Sequence, residues 1–380
     1  MEPRIGTLTI ERFRAFRHLK IEGLGRVNLI TGRNNTGKSS VLEALRILAS
    51  DASPSVIYDI IRFREEDLRE TEDPPRPADA DSLFALSSLF HGFPEFSTKP
   101  QPLVIAANGG QRPMRLTMEA GWFSEERAAD GSRRRILQQL NLFGQQTLFG
   151  EGEVLPALVV EASGVQRLLP LDSLSRYYRG RLPTSVFQNE PRVSCVFVSP
   201  YGGERTATLG PLWDMVALSD REEDVVRALR IIEPGISAVS MVGGEGTRQP
   251  RTAIVRSKGM PRPVNLRSFG DGLNRLFGIV LSLVNAKDGL LLIDEFENGM
   301  HYSIQLDVWR ALFGLARRLD VQVVATSHSW DAIEAFQKAA SEDPDEGVLI
   351  RLSRKGEDII PTLFREDELA VATRDRIEVR

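Results

Sequence analysis

The segment Gly32–Ser39, GRNNTGKS, constrains the fold of this chain more than any other stretch. It fits G-x-x-x-x-G-K-[ST] without a mismatch, and it lies between an apolar strand pattern, RVNLIT, and a helical pattern, SVLEALRILAS. The glycines let successive backbone amides surround an anion, and a preceding strand with a following helix is the context that this motif requires. The sequence therefore predicts a phosphate-binding loop in an α/β fold.

The motif assigns roles to individual residues of this loop. Lys38 is expected to place its ammonium at the β- and γ-phosphates of a nucleotide, and Ser39 to ligate Mg²⁺. The other candidate nucleotide-binding residues of the segment are Asn34, Asn35, Thr36, Gly37 and Ser40. The alternative is a glycine-rich turn with a surface lysine, which the flanking strand and helix disfavour.

Two later apolar strand patterns end in side chains that would complete such a site. Leu290–Ile293 precedes Asp294 and Glu295, and VQVVATS precedes His328. The last side chains of parallel strands meet at the carboxyl edge of a sheet, where open α/β folds bind ligands. We expect Asp294 in the Mg²⁺ shell, Glu295 as the base for an attacking water, and His328 as a hydrogen-bond donor to the γ-phosphate. Acidic residues that merely face water, and a capping or solvated histidine, are the alternatives.

A short polar segment with two glycines, Ser268-Phe269-Gly270-Asp271-Gly272, directly precedes the apolar pattern LNRLFGIVLSLV. Two glycines so close together weaken a helix and expose backbone N–H groups, and a helix N-terminus with bare amides favours an anion. A simple turn with Ser268 or Asp271 as the helix cap is the other interpretation. Ser268, Gly270 and Gly272 are therefore candidate phosphate-binding residues.

Length, charge and cysteine usage bound the class of protein. The 380 residues can form one large core or two joined lobes, and the single cysteine, Cys195, excludes an intramolecular disulfide framework. The charged N-terminus does not fit a signal peptide, and no apolar run reaches membrane-spanning length. The formal net charge of −4 excludes a uniformly basic nucleic-acid binder. Arg133–Arg135 or Arg176, Arg179 and Arg181 could still form a local basic stripe on DNA. We expect a cytoplasmic protein that does not contact a membrane.

Strand and helix patterns divide the chain into a core and three additions. Residues 1–50 and 264–380 alternate strand and helix, as parallel strands with crossover helices do. Between them, 51–100 indicates a helical and acidic insertion, 101–200 an antiparallel β lobe, and 205–250 a helical arm that contains REEDVVRALRII. The prediction is a single α/β head over 1–380 with a parallel-sheet core.

The order of these motifs resembles that in the ATPase heads of the ABC type. The opening LTIERFRAFRHLKIEGLGRVNLITGRNNTGKSS is similar to the SMC-like and OLD-like members of that family rather than to transporter subunits. DEFENGMH, with Glu297, Asn298 and His301 in place, is similar to the OLD-like pattern. The resemblance covers residues 1–50 and 264–335.

That resemblance implies a head-to-tail dimer in which two subunits sandwich two ATP molecules, with Mg²⁺ at each. Ser268, Gly270 and Gly272 would face the γ-phosphate bound by the second subunit. Arg12 and Arg14 match positions that contact nucleotide in such heads.

The chain lacks two features of better-known members of the family. It has no sustained heptad pattern for a coiled coil, and the roughly fifty residues after His328 are too few for the Toprim nuclease domain of OLD proteins. The resemblance thus implies a standalone ATPase of bacterial defence or DNA maintenance. It would form a homodimer or higher homo-oligomer that senses or gates for a separately encoded nuclease or toxin. A DNA-binding repair ATPase and an ATP-stabilised scaffold that holds a toxin are the competing interpretations.

Overall fold

The computed structural model describes most of the chain, with gaps between elements. The described residues are 3–64, 86–94, 101–110, 113–127, 133–138, 154–170, 192–200, 206–243, 251–343, 345–375 and 379. The acidic stretch 65–81 and the candidate basic residues Arg176, Arg179 and Arg181 lie outside them.

The residues that the structure describes form sixteen strands and eight α-helices. The strands are β1 (Thr7–Phe13), β2 (Phe16–Glu22), β3 (Val27–Gly32), β4 (Leu103–Asn108), β5 (Met114–Arg127), β6 (Arg133–Gln138), β7 (Val154–Ala162), β8 (Val165–Pro170), β9 (Cys195–Val198), β10 (Ile236–Val242), β11 (Thr252–Ser257), β12 (Val264–Asn265), β13 (Leu290–Ile293), β14 (Gln322–Thr326), β15 (Gly347–Lys355) and β16 (Asp358–Phe364). The helices are α1 (Lys38–Ala49), α2 (Pro54–Phe63), α3 (Thr206–Asp214), α4 (Asp220–Leu229), α5 (Asp271–Asn285), α6 (Tyr302–Arg318), α7 (Trp330–Glu342) and α8 (Glu366–Arg374). A 3₁₀ turn, Leu266–Phe269, leads into α5.

A six-stranded sheet of described strands carries the phosphate-loop strand in its interior. Its order is β16-β15-β3-β14-β13-β9, and all neighbours are parallel except the β15–β16 pair. All the residues of β3, β13 and β14 are buried, as expected for parallel strands that are covered on both faces. The predicted parallel-sheet core is confirmed, and the carboxyl ends of β3, β13 and β14 meet at one edge.

Apolar side chains of the central sheet pack in opposite directions. Val27 and Leu29 of β3 belong to a core formed largely with α5, α6 and α7. Ile30, between them and the loop, belongs to a second core with α1 and the strands of the antiparallel sheet. The alternation along β3 thus anchors the start of the phosphate loop between two hydrophobic cores.

An antiparallel sheet in the described residues has the order β2-β1-β4-β5-β7-β8, and β6 also pairs with β5. The N-terminal strands therefore belong to the β lobe that the sequence places at 101–200. β1 lies between β2 and β4, so it is an interior strand of this sheet. Arg133–Arg135 opens β6, which pairs antiparallel with β5.

Among its described residues, the predicted helical arm is helical only in the first part. Helices α3 and α4 lie within 205–250, but Ile236–Val242 is a strand that pairs with β11 in a three-stranded sheet, β10-β11-β12. Pro234 and Gly235 end the helical pattern, and the burial along β10 alternates in the way of a sheet that is covered on one face. The extension of the arm past Pro234 was therefore wrong.

No helix in the described part of the chain combines the length and the apolar character that crossing a membrane requires.

Candidate functional site

The phosphate loop needs glycine at both ends because of close approaches. Gly32 has φ 144°, and a Cβ there would overlap the carbonyl oxygen of Leu352 on β15. Gly37 has φ 83°, and a Cβ there would lie 2.5 Å from the ring of Phe16. Both residues adopt backbone conformations that side chains disfavour, so the loop's path depends on them.

Lys38 folds back over the loop that precedes it. Its Nζ donates to the carbonyl oxygens of Gly32 at 2.8 Å and Arg33 at 3.1 Å. Burial lowers the pKa of Lys38, while the nearby carboxylates of Asp294, Glu295 and Glu297 oppose that shift. The ammonium thus lies in the concavity of the loop, beside the carboxylates at the neighbouring strand ends.

Asp294 lies at the end of β13 with its carboxylate directed at the loop. Its Oδ1 accepts from the Ser39 hydroxyl at 3.1 Å and from the Thr326 hydroxyl at 2.6 Å. Burial raises the pKa of this carboxyl group; the two hydroxyl hydrogen bonds and Arg64 lower it, and Glu295 raises it further. The structure therefore brings together Ser39 and Asp294, which the sequence assigned to one metal shell.

The oxygen donors present fit Mg²⁺. This ion prefers oxygen ligands and is usually held by one or two protein groups together with substrate phosphates and waters. Ser39 and Asp294 supply a hydroxyl and a carboxylate within hydrogen-bond distance of each other. Because burial disfavours the charged form of Asp294, a bound cation would stabilise it.

Glu295 adopts a left-handed backbone conformation, with φ 49°, which is uncommon for a residue other than glycine and is concentrated at functional sites. Its amide donates to Thr326 Oγ1 at 2.9 Å. The Asn298 side-chain amide donates both to Glu295 Oε2 and to the carbonyl oxygen of Pro200. The carboxylate is therefore held in place next to Asp294.

Arg275 supports the same turn from behind. It lies on α5 with 2% of its surface exposed, and its NH2 group donates to the carbonyl oxygens of Asp294 at 2.8 Å and Glu295 at 3.1 Å. Its NH1 group donates to the carbonyl oxygen of Ser199 at the end of β9. This role could not be predicted from the sequence, because Arg275 occupies a helical position among apolar residues.

His328 follows β14 and lies at the opening of the site. Its side chain is 53% exposed, and its Nδ1 lies 3.2 Å from Oε1 of Glu297, whose side chain is 9% exposed. The same oxygen accepts from the amides of His328 at 3.0 Å and Ser329 at 3.1 Å. His328 therefore has one ring edge against a carboxylate and the remainder of the ring towards solvent.

The glycine-rich segment before α5 presents backbone at the surface. Ser268, Gly270 and Asp271 are exposed, and Gly270 is the N-cap of α5 with φ 99°. No side chain caps this helix, so the interpretation of Ser268 or Asp271 as the cap is wrong. Within the described residues, neither Ser268 nor Gly270 hydrogen-bonds to the phosphate loop of its own chain. The N-terminus of α5 is thus open to an anion from outside the subunit.

The other predicted nucleotide-binding residues occupy varied positions. Asn34 and Asn35 are exposed at the crest of the loop, and Thr36 is buried and donates to the Arg33 carbonyl oxygen at 2.8 Å. Ser40 is buried in the first turn of α1. Nucleotide contacts by these residues stay predictions.

Arg12 and Arg14 are held by protein groups. Arg12 donates to the Pro102 carbonyl oxygen at 2.6 Å, and the buried Arg14 lies 2.7 Å from a carboxylate oxygen of Glu43 on α1. Arg14 thereby ties the turn between β1 and β2 to the helix that follows the phosphate loop. A nucleotide contact by either arginine stays a prediction.

Two family models match this chain. The one described as "AAA ATPase domain" matches residues 4–87, which include the phosphate loop. The one described as "AAA domain, putative AbiEii toxin, Type IV TA system" matches residues 202–333, which include the segments around Gly270, Asp294 and His328. The motifs brought together in the structure therefore fall within two AAA-type matches.

The chain is also similar to individual proteins along its length. It is 23% identical over 381 residues to an ATP/GTP phosphatase of Helicobacter pylori, with 96% of each chain covered. It is 52% identical over 46 residues to an uncharacterised protein of Methanocaldococcus jannaschii, which covers 12% of this chain and 21% of that protein. A crystal structure of an SMC head bound to the C-winged helix domain of ScpA matches with a TM-score of 0.51 and 9% identity, over 97% of this chain and all of that one. The fold is that of an SMC head, as predicted.

Proposed function

We propose that this chain, an SMC-like ATPase of the ABC type, hydrolyses ATP in a head-to-tail dimer and acts as the switch subunit for a separately encoded effector. The observation that carries the dimer is the open N-terminus of α5. Gly270 exposes backbone at an uncapped helix start, and neither it nor Ser268 hydrogen-bonds to the phosphate loop of its own chain among the described residues. A γ-phosphate presented by a second copy is the anion that suits this position.

The residues of the site divide the chemistry among them. The loop amides and Lys38 bind the β- and γ-phosphates, and Mg²⁺, held by Ser39 and Asp294, neutralises charge on the phosphate oxygens when bound. Glu295, held by Asn298 and Thr326, orients a water and accepts its proton. His328 donates a hydrogen bond to the transferring phosphoryl group.

The effector is proposed to be a nuclease or a toxin, and the setting phage defence. This part of the proposal is supported by the family description that mentions an AbiEii toxin and a type IV toxin–antitoxin system. A DNA-binding repair ATPase remains the alternative on the basis of the arginines that open β6. Purification of the natively expressed complex and identification of its second protein distinguish the two, and a steep salt dependence of DNA affinity favours the alternative.

Replacement of Lys38 with alanine is expected to weaken ATP binding at least tenfold. The substitution removes a charge-assisted hydrogen bond to phosphate, which is worth about 1.5–3 kcal/mol. Titration calorimetry with ATP measures the affinity, and Lys287→Ala, which removes an exposed lysine beyond the end of α5, is the matched control. Unchanged affinity in Lys38→Ala would exclude the phosphate-loop assignment.

A mixed dimer tests the proposed interface. Ser268→Arg should block the phosphate of the facing subunit, and Lys38→Ala disables the loop of its own subunit, so each variant alone has two damaged composite sites. In a mixed dimer both lesions fall in one site and the other site is intact. Mixing the two variants is therefore expected to restore ATP turnover, up to about half of normal per mixed dimer if the sites act independently.

This experiment needs one control for subunit exchange and one for the position of the arginine substitution. Subunit exchange is followed with two differently sized tags, and Ser240→Arg, at an exposed serine of β10, is expected to leave turnover unchanged. If exchange is complete and no activity returns, a sandwich of two independently acting sites is excluded. Dimer size measured with and without ATP, next to turnover, separates a working switch from an ATP-stabilised scaffold.

A further inference from the structure

We propose that Glu297 is a positioning residue that aims His328 at the γ-phosphate. The inference rests on the proposed function, in which His328 contacts that phosphate. Glu297 lies three residues after Asp294, in the turn that follows β13, and its side chain is 91% buried, since only 9% is exposed. Its partners come from the neighbouring strand end rather than from its own turn.

One carboxylate oxygen of Glu297, Oε1, makes three polar contacts with the segment that carries His328. Oε1 accepts from the His328 amide at 3.0 Å and the Ser329 amide at 3.1 Å, and the His328 Nδ1 lies 3.2 Å away. The two amides fix the backbone, and the Nδ1 contact fixes the ring on that backbone. The 3.2 Å distance turns the Nδ1 edge of the ring towards Glu297, so Nε2 is the ring nitrogen left to meet a ligand.

The second carboxylate oxygen of Glu297 lies in an unusual environment for a charged group. Oε2 is buried and has no hydrogen-bond partner among the described residues. A buried carboxylate oxygen without a protein donor calls for an explanation, and here the Lys38 ammonium is close enough to interact with Glu297 electrostatically. A side chain that only closed the turn would not need to be a buried acid.

Further hydrogen bonds join the same two turns. The Phe296 amide donates to the Thr326 carbonyl oxygen at 2.9 Å, and the Glu295 amide donates to the Thr326 hydroxyl at 2.9 Å. Hydrogen bonds therefore join the turn with the carboxylates to the segment with His328, and those to Glu297 reach the His328 and Ser329 amides. The effect of Glu297 on the His328 ring can be separated from that of Thr326, because Glu297 contacts His328 itself whereas Thr326 binds the amides of Glu295 and Phe296.

The test compares three variants by kcat, by the Kd for ATP and by thermal unfolding. Glu297→Met removes the acceptor and is expected to lower kcat about ten- to hundredfold, the usual range for a group that orients another, with less than about a twofold change in Kd. Glu297→Gln keeps a carbonyl oxygen at the position of Oε1 and is expected to stay within about threefold of the original kcat. If Glu297→Met fails to fold, Glu297→Ala, whose smaller side chain admits water, replaces it.

A double-mutant cycle with His328→Ala provides the decisive comparison. If Glu297 acts through His328, then Glu297→Met in the His328→Ala background is expected to change kcat by less than about twofold. If the two losses multiply instead, Glu297 supports the fold or the Asp294–Glu295 turn, and the inference is overturned. A wild-type kcat for Glu297→Met overturns it as well. A wild-type kcat for His328→Ala overturns the role of His328 in the proposed function and this inference with it.

Imidazole NMR gives a readout that does not depend on turnover. The chain has four histidines, so their ring signals can be resolved, and the signal of His328 is identified by its loss in His328→Ala. Glu297→Met is expected to shift only the His328 ring signals. The matched control is Glu233→Met, because Glu233 also accepts from an amide, that of Gly235, and from a hydroxyl, that of Ser257, but at the β10–β11 sheet. If the control shifts the His328 signals equally, or Glu297→Met leaves them unmoved, the inference is wrong.

Discussion

Glutamine in place of Glu295 is expected to lower ATP turnover about a hundredfold or more while ATP binding persists. The change keeps the shape of the side chain but removes the group that accepts the proton of the attacking water, a contribution of about 10²–10⁴ in rate. Single-turnover hydrolysis measures the chemical step, and titration calorimetry measures the affinity. The nucleotide-bound dimer should also live longer, which size-exclusion chromatography with ATP and Mg²⁺ detects.

The control for this variant is Glu357→Gln, at an exposed glutamate in the turn between β15 and β16, which is expected to hydrolyse ATP normally. Turnover near the wild-type value in Glu295→Gln would show that Glu295 is not the catalytic carboxylate. Loss of affinity together with turnover would instead point to a collapsed Asp294–Glu295 turn, a result that the left-handed backbone at Glu295 makes worth checking by thermal unfolding.

Replacement of Arg275 with methionine is expected to lower the free energy of unfolding by about 3–5 kcal/mol. The guanidinium donates to three main-chain carbonyl oxygens, those of Ser199, Asp294 and Glu295. Buried acceptors that lose their donor cost about 1–3 kcal/mol each, and some of that cost is recovered by water. Urea denaturation measures the loss, and turnover should fall with it because the turn that carries Asp294 and Glu295 loses its support.

Arg221→Met is the matched control for Arg275→Met. Arg221 also donates to a main-chain carbonyl oxygen, that of Val284 at 3.2 Å, but at the far end of α5 and through a single contact. Its loss is expected to cost about 1 kcal/mol and to leave turnover unchanged. Equal destabilisation by the two substitutions would contradict the view that Arg275 specifically holds the turn after β13.

The sequence predicts the site's main parts because each depends on local chemistry. Positions 32 and 37 have positive φ values and close approaches that few residues other than glycine tolerate. The loop can therefore be recognised from its sequence motif alone. Continuous apolar runs such as Leu290–Ile293 indicate buried parallel strands, and the residue after each run then lies at the carboxyl edge of the sheet.

The supporting contacts depend on strand register, which no local pattern contains. Ile293 pairs with Ala325, so Asp294 comes opposite Thr326, whose hydroxyl binds both the Asp294 carboxylate and the Glu295 amide. A shift by one residue would direct that hydroxyl to the other face. Thr326 was thus visible in the sequence only as the last β-branched residue of a strand.

The errors in the fold prediction have a similar origin. The amphipathic pattern of α4 ends before Pro234, but the helical arm predicted over 205–250 also includes the seven-residue strand Ile236–Val242. Short strands give little periodic signal, and their pairing partners lie elsewhere in the chain. The membership of β1 and β2 in the antiparallel sheet likewise depends on pairing with a distant strand, β4.

The contact between Gly37 and Phe16 bears on how far this protein can be taken apart. Phe16 opens a strand of the antiparallel sheet, and its ring lies where any side chain at position 37 would have to go. The β lobe therefore forms one wall of the phosphate loop and is not a detachable module. A minimal catalytic fragment cut at the boundary between the two sheets would lose that wall, and a loop transplanted into another scaffold would need an aromatic ring supplied at the same place.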